Sequence, residues 1–102
     1  MASSSLTYNN QVGTTYTLDA ADNGLVVTCT NAAPVTVTIP AGLDIGFNCV
    51  VVQLGAGQVG FTTSGTTLHN ENSQTKIAGQ YGTVSLFSYT TNTFILAGNT
   101  GA

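Results

Sequence analysis

Apolar and polar residues alternate with a period of two along most of the chain, and no window carries the i, i+3, i+4, i+7 stripe of an amphipathic helix. Val35, Val37 and Ile39 alternate with Thr36 and Thr38, which puts three apolar side chains on one face of a strand and two hydroxyls on the other. The turn-forming cluster Asn31–Pro34 separates this segment from Leu25–Thr30, so the two read as an antiparallel hairpin. Phe47–Leu54 is almost continuously apolar, which predicts a central strand covered on both faces. Further strands are predicted over Thr14–Leu18, Gln58–Thr63, Thr66–Leu68, Gln74–Ile77, Tyr81–Tyr89 and Thr93–Ala97. Turns fall between them, with Asn23-Gly24 the strongest signal because both residues tolerate positive φ. Leu43–Phe47 is the one stretch that admits a helical turn. The pattern predicts an all-β fold, a small antiparallel β-sandwich or barrel of about eight or nine short strands with no substantial helix.

Residues 1–13 are polar and lack either period, so they read as an N-terminal arm ahead of a β domain spanning residues 14–102. A chain of 102 residues makes one domain, and 42% hydrophobic residues suffice for a core. Charge changes the picture most. Only 5% of residues are charged, against about 25% in ordinary soluble domains. Strands with few gatekeeping charges are an aggregation hazard wherever an edge is exposed, and an assembly that pairs or covers those edges removes the hazard. The composition therefore suits a homo-oligomer or a component of a larger particle.

One Lys, no Arg and a net charge of −3 exclude phosphate-rich partners such as nucleic acid, and they remove the polybasic route to anionic membranes. No stretch approaches the roughly 20 apolar residues of a membrane span. The first ten residues have neither a basic nor an apolar signal region, which implies synthesis in a cytoplasm. Cys29 and Cys49 lie in apolar β segments and are expected as packed, reduced thiols, with a disulfide between them left open.

Candidate chemistry is sparse. His69 and Glu71, with Asp44, fall short of the three or four clustered ligands a metal needs, so no metal is expected. Asp19, Asp22 and Asn23 lack the spacing of a calcium loop and read as turn formers. His69 is the only side chain suited to act as a base near neutral pH, and nothing in the sequence places a serine or cysteine beside it. Gly55–Gly60 fits the letters of Gly-x-Gly-x-x-Gly, but the segment after it reads as strand rather than helix, so no dinucleotide cofactor is expected. The chain reads as non-enzymatic and without cofactors. Tyr8, Tyr16, Tyr81 and Tyr89, with neighbouring amides, keep a shallow glycan-stacking surface open.

Several segments together resemble a β-rich domain found in bacteriophage virion proteins, especially tail fibres and head-decoration proteins. They are Tyr16–Leu18, Asp22–Gly24, Pro34–Pro40 (PVTVTIP), Phe47, Val51–Phe61 (VVQLGAGQVGF), Gln80–Phe87 (QYGTVSLF) and Asn92–Gly98 (NTFILAG). Related domains often carry Trp where Phe94 stands. The resemblance spans Tyr16 to Asn99 and implies a non-enzymatic virion module, often oligomeric, with a trimer favoured. A chain opening on Met and a short polar arm fits a decoration or cement protein that binds the major capsid protein or other virion proteins. The arm would then supply the contact through Leu6, Tyr8, Asn9 and Gln11. The alternative is a fibre module reading a host receptor or glycan through the loop His69, Asn70, Glu71 and Asn72. Either role places the protein in the virion after synthesis in a bacterial cytoplasm.

Overall fold

A computed structural model describes residues 8–102 of the chain. Eleven strands follow one another: β1 (Tyr8–Gln11), β2 (Thr15–Thr17), β3 (Val26–Cys29), β4 (Val35–Pro40), β5 (Asn48–Gln53), β6 (Val59–Ser64), β7 (Thr67–His69), β8 (Lys76–Ile77), β9 (Thr83–Thr90), β10 (Thr93–Gly98) and β11 (Thr100–Gly101). The only helical turn among the described residues is the 3₁₀ turn Ala20–Asp22, and none forms at Leu43–Phe47. Asn23 (φ −57°, ψ 123°) and Gly24 (φ 78°) follow that turn, with the Leu25 N–H donating to the Asp22 carbonyl. This is a type II turn, in which only Gly24 needs positive φ.

The strands form two sheets. Sheet A has the order β1-β3-β5-β9-β10-β7, and sheet B the order β11-β8-β6-β4-β2. The first six strands wind as three successive coils, each placing one strand in sheet A and the next in sheet B. Within each sheet they pair in parallel: β1-β3-β5 in one and β2-β4-β6 in the other. Residues of the second and third coils are 24 positions apart throughout, as in Val26–Val50, Val27–Val51, Val35–Val59 and Thr38–Thr62. After the third coil the chain closes the stack with β9, β10, β8 and β11, whose ladders are antiparallel except for the parallel β10–β7 pair. The architecture is all-β, but it is a solenoid-like stack of mixed sheets and not an antiparallel sandwich or barrel.

The expected hairpin of Leu25–Thr30 with Val35–Ile39 is the step that fails. β3 and β4 lie in different sheets, joined by an arch over Thr30–Pro34. An arch turns two strands so that their side chains face each other, whereas a hairpin turns them so that their backbones pair. Alternation is identical in both, so the period of two cannot separate them. The arch wins because it sets Val27 and Cys29 against Val35, Val37 and Ile39 in one core, all five side chains being buried. Backbone partners then come from the neighbouring coil.

Stacking these arches demands close backbone approach. A Cβ on Gly57 would fall inside the Ala33 carbonyl, and one on Gly55 would strike the carbonyls of Thr30 and Asn31. Hydrogen bonds seal the stack: the Leu54 and Gly55 N–H groups both donate to the Cys29 carbonyl, and the Gly57 N–H donates to the Asn31 carbonyl. Inside the third arch the buried Gln53 side chain accepts from the Val59 N–H at 3.1 Å and donates to the Gly55 carbonyl at 3.3 Å. A buried amide left unpaired would cost about 1–3 kcal/mol, so this strut holds the two ends of the arch together.

The core between the sheets also gathers Val51, Val84, Leu86, Phe94 and Leu96 from sheet A and Val59, Phe61 and Ile77 from sheet B. Phe47 closes one end edge-on to Phe94, with ring centroids 6.3 Å apart at 72°. The shortest dimension of the molecule is 20 Å, which is two sheets about 10 Å apart plus their outward side chains. Both cysteines are buried and unbridged. Cys29 is in register with Gln53, four residues along β5 from Cys49, an offset of about 13 Å that no disulfide spans.

One further expectation is corrected. β5 is central, paired with β3 and β9, yet it is covered on one face only. Cys49, Val51 and Gln53 are buried, whereas Val50 and Val52 stay partly exposed on the outer side. Replacing Gly57 with Ala is expected to lower stability by about 1–3 kcal/mol in urea denaturation, because the new Cβ would overlap the backbone carbonyl of Ala33. Gly79, with open space around its Cβ position, should tolerate the same change within about 0.5 kcal/mol.

Candidate assembly face

The residues singled out in the sequence fall in three different places. Leu6 lies outside the described residues. Tyr8 points out from sheet A, while Asn9 and Gln11 alternate inward, in line with Val27 and Cys29 of the next coil. Tyr8–Gln11, the second half of the polar stretch 1–13, is therefore strand β1 of the first coil.

Asn9 belongs to a polar cluster at that end of the stack. Its amide donates to the Tyr16 hydroxyl oxygen at 2.8 Å and to Asp22 Oδ1 at 2.9 Å. Tyr16 donates to Asp22 Oδ2 at 2.6 Å, the Asp19 N–H donates to the same oxygen at 2.9 Å, and Gln11 donates to Asn9 Oδ1 at 2.8 Å. Asp22 is 2% exposed, and these donors compensate the desolvation of its carboxyl group. Burial and the adjacent Asp22 push the Tyr16 phenol well above its ordinary range. Burial, with a smaller contribution from Asp22, pushes the Cys49 thiol up to about 12. Tyr8, Asn9, Tyr16, Asp22 and Leu25 border a groove of about 480 Å³ here, and its polar floor is already internally bonded. The cluster pins β1, β2 and the 3₁₀ turn together; its groups are occupied by one another.

The loop at His69, Asn70, Glu71 and Asn72 is built around Asn70. Its amide donates to the Leu96 carbonyl at 2.8 Å, and its Oδ1 accepts from the N–H groups of Asn72 and Gln74 at 2.8 and 3.0 Å. Asn70 is thus the internal brace of the loop. His69, in register with Ile95 on edge strand β7, is exposed, as are Glu71 and Asn72. Among the described residues no three His, Cys, Asp or Glu side chains group together to hold a metal ion.

The outer faces of the two sheets differ sharply. Sheet B presents Thr15, Thr17, Thr36, Thr38 and Thr62, with the Lys76 stem lying over Gly60. Sheet A presents Val26, Val50, Val52, Phe87 and Ile95 between Asn10, Thr28, Asn48, Thr83 and Ser85. Tyr8 (55% exposed) and Tyr89 (52%) lie on the same face, and Val12, Leu54 and Tyr81 stand at its margin where the strands end. Of the six large hydrophobics exposed among the described residues, Tyr8 and Tyr89 stand on this face, Val12, Leu54 and Tyr81 flank ends of sheet A strands, and Ile45 lies in the connection into β5. Among the described residues no Asp, Glu or Lys stands at an outward position of a sheet A strand: Asp19, Asp22, Asp44 and Glu71 sit in connections and Lys76 in sheet B. Partly exposed apolar side chains grouped on one sheet face mark a candidate interaction site.

Tyr81 adds a second feature. Its φ is +66°, and its ring is 71% exposed. A non-glycine residue there costs on the order of 1–2 kcal/mol, and the exposed ring recovers little through burial. The Tyr81 N–H, donating to the Gln53 carbonyl, and the Gly82 N–H, donating to the Gly79 carbonyl, hold the turn. The sequence conceals this face because the run Val50-Val51-Val52 predicts burial on both sides. The signal was present: Val26 and Val50, 24 residues apart, occupy the same outward position.

No family model, no curated protein and no solved structure matches this chain.

Tyr16→Phe removes one donor to Asp22 and is expected to cost about 1–3 kcal/mol at neutral pH, read by urea denaturation. The stability that the raised phenol pKa contributes is fully present below the ordinary tyrosine value of about 10 and is lost as pH rises above it. The stability gap between the wild-type protein and the variant should therefore narrow above that pH.

Proposed function

We propose that the protein is a non-enzymatic virion structural protein, a decoration protein that binds and stabilises the head shell of a bacteriophage. The observation that carries this reading is the outer face of sheet A, whose strands present apolar and uncharged polar side chains outward. It spans a six-stranded sheet, a form suited to burial in an assembly and ill suited to enclosing a small substrate. The β-rich virion domain that the sequence resembles supports the same reading, as does a surface so poor in charge.

The experiment uses heads of the encoding virus stripped of their outer proteins. Purified protein should co-sediment with them to a saturable stoichiometry and raise the temperature at which they rupture. No binding at micromolar concentration would contradict the reading.

A fibre module that contacts a host glycan is the second reading, favoured by the exposure of Tyr8, Tyr81 and Tyr89. It requires saturable binding on a glycan array that Tyr81→Ala abolishes, and a blank array removes it.

A further inference from the structure

We propose that the outer face of sheet A is closed by the same face of a second copy of this chain, giving a face-to-face dimer. The inference rests on the structural reading above and assigns this face to pairing between copies, which leaves contact with the shell to the remaining surface of the pair.

Three properties of the face select a second copy. The first is charge. Among the described residues no sheet A strand carries an outward Asp, Glu or Lys, and His69 stands only at the β7 edge, so two copies stack strand over strand with no like charges facing each other. A strongly charged partner would find nothing there to pair with.

The second is extent. The strands of sheet A have 4, 4, 6, 8, 6 and 3 residues, 31 in all, and each residue covers about 3.3 by 4.8 Å of sheet, so the face has a plan area of about 500 Å². Two such faces in full overlap remove about 1,000 Å², the lower bound for a specific interface.

The third is shape. Twisted sheets pack face to face about 10 Å apart through interdigitating β-branched and aromatic side chains. Val26, Val50, Val52, Phe87 and Ile95 supply such side chains in alternating register rows. Asn48, Thr83 and Ser85 stand between them, able to donate and accept across a two-fold axis.

The test is the solution mass of the full chain by light scattering and sedimentation at micromolar concentration. A dimer of twice 10.4 kDa is expected. Val50→Glu, at the centre of the face, and Ser85→Lys, at an exposed position beside it, should each weaken the dimer at least tenfold. Thr38→Lys on sheet B should leave it unchanged. Ser85→Lys replaces an exposed side chain, so it keeps the test decisive even where Val50→Glu fails to fold. A monomer throughout the concentration range, a trimer, or a dimer that both face variants leave intact would overturn the inference. Shell binding is a separate readout: a monomer that still binds heads overturns the dimer and spares the structural role, whereas a dimer that ignores heads does the reverse.

Discussion

The stacked arches are the constraint on which the rest of the structure depends. The arch Leu54–Gln58 can sit on Thr30–Pro34 only because positions 55 and 57 have no side chain, and the carbonyls of Cys29 and Asn31 are saturated only from that distance. Once that contact forms, β5 must lie beside β3 and β6 beside β4, in parallel and in register. The buried rows follow directly, Val27 on Val51 in one sheet and Val37 on Phe61 in the other. Parallel pairing at a separation of 24 residues requires each coil to close before its ladder is rewarded, so a tight, preset arch matters more here than a tight turn does in a hairpin.

Packing is uneven along the stack. The second and third coils are held by aliphatic side chains from both sheets, whereas the first coil places Asn9, Gln11 and Tyr16 inward and relies on Asp22 to bind them. Directional hydrogen bonds replace apolar burial at the end of the stack, where the core runs out. The same economy explains the two outer faces. Sheet B is finished with threonines and a lysine, which water solvates, while sheet A is finished with valines and aromatics, which it does not. A protein of so little charge leaves that contrast as the main chemical asymmetry of its surface.

Much of this was legible in the sequence, and the illegible part has a definite cause. Alternation located most strands after Thr14 and several buried faces, as in Val35, Val37 and Ile39 or Val84 and Leu86, but not β1 or the outward side of β5. It was silent on pairing partners, because a period of two is a property of a single strand. The signal that bears on partners is the repeat: Val26, Val27, Ala32, Val35 and Thr38 recur as Val50, Val51, Ala56, Val59 and Thr62, each 24 positions later, which is the mark of stacked coils. Asn9, Gln11 and Asp22 read as arm and turn residues because their role depends on contacts between separate segments. Asn70 read as a surface ligand because an Asx brace and a solvated amide look alike in one dimension.

Backbone nuclear Overhauser contacts in isotopically labelled protein test the parallel stack most directly. Amide-to-Hα contacts linking the register neighbours of Val27 and Val51, and of Val37 and Phe61, are the expected result, with no backbone contacts joining Cys29 to Val35 across the arch. Cross-strand Hα–Hα contacts between the segments 25–30 and 35–39 would instead restore the hairpin, and with it the antiparallel sandwich, and would contradict the account.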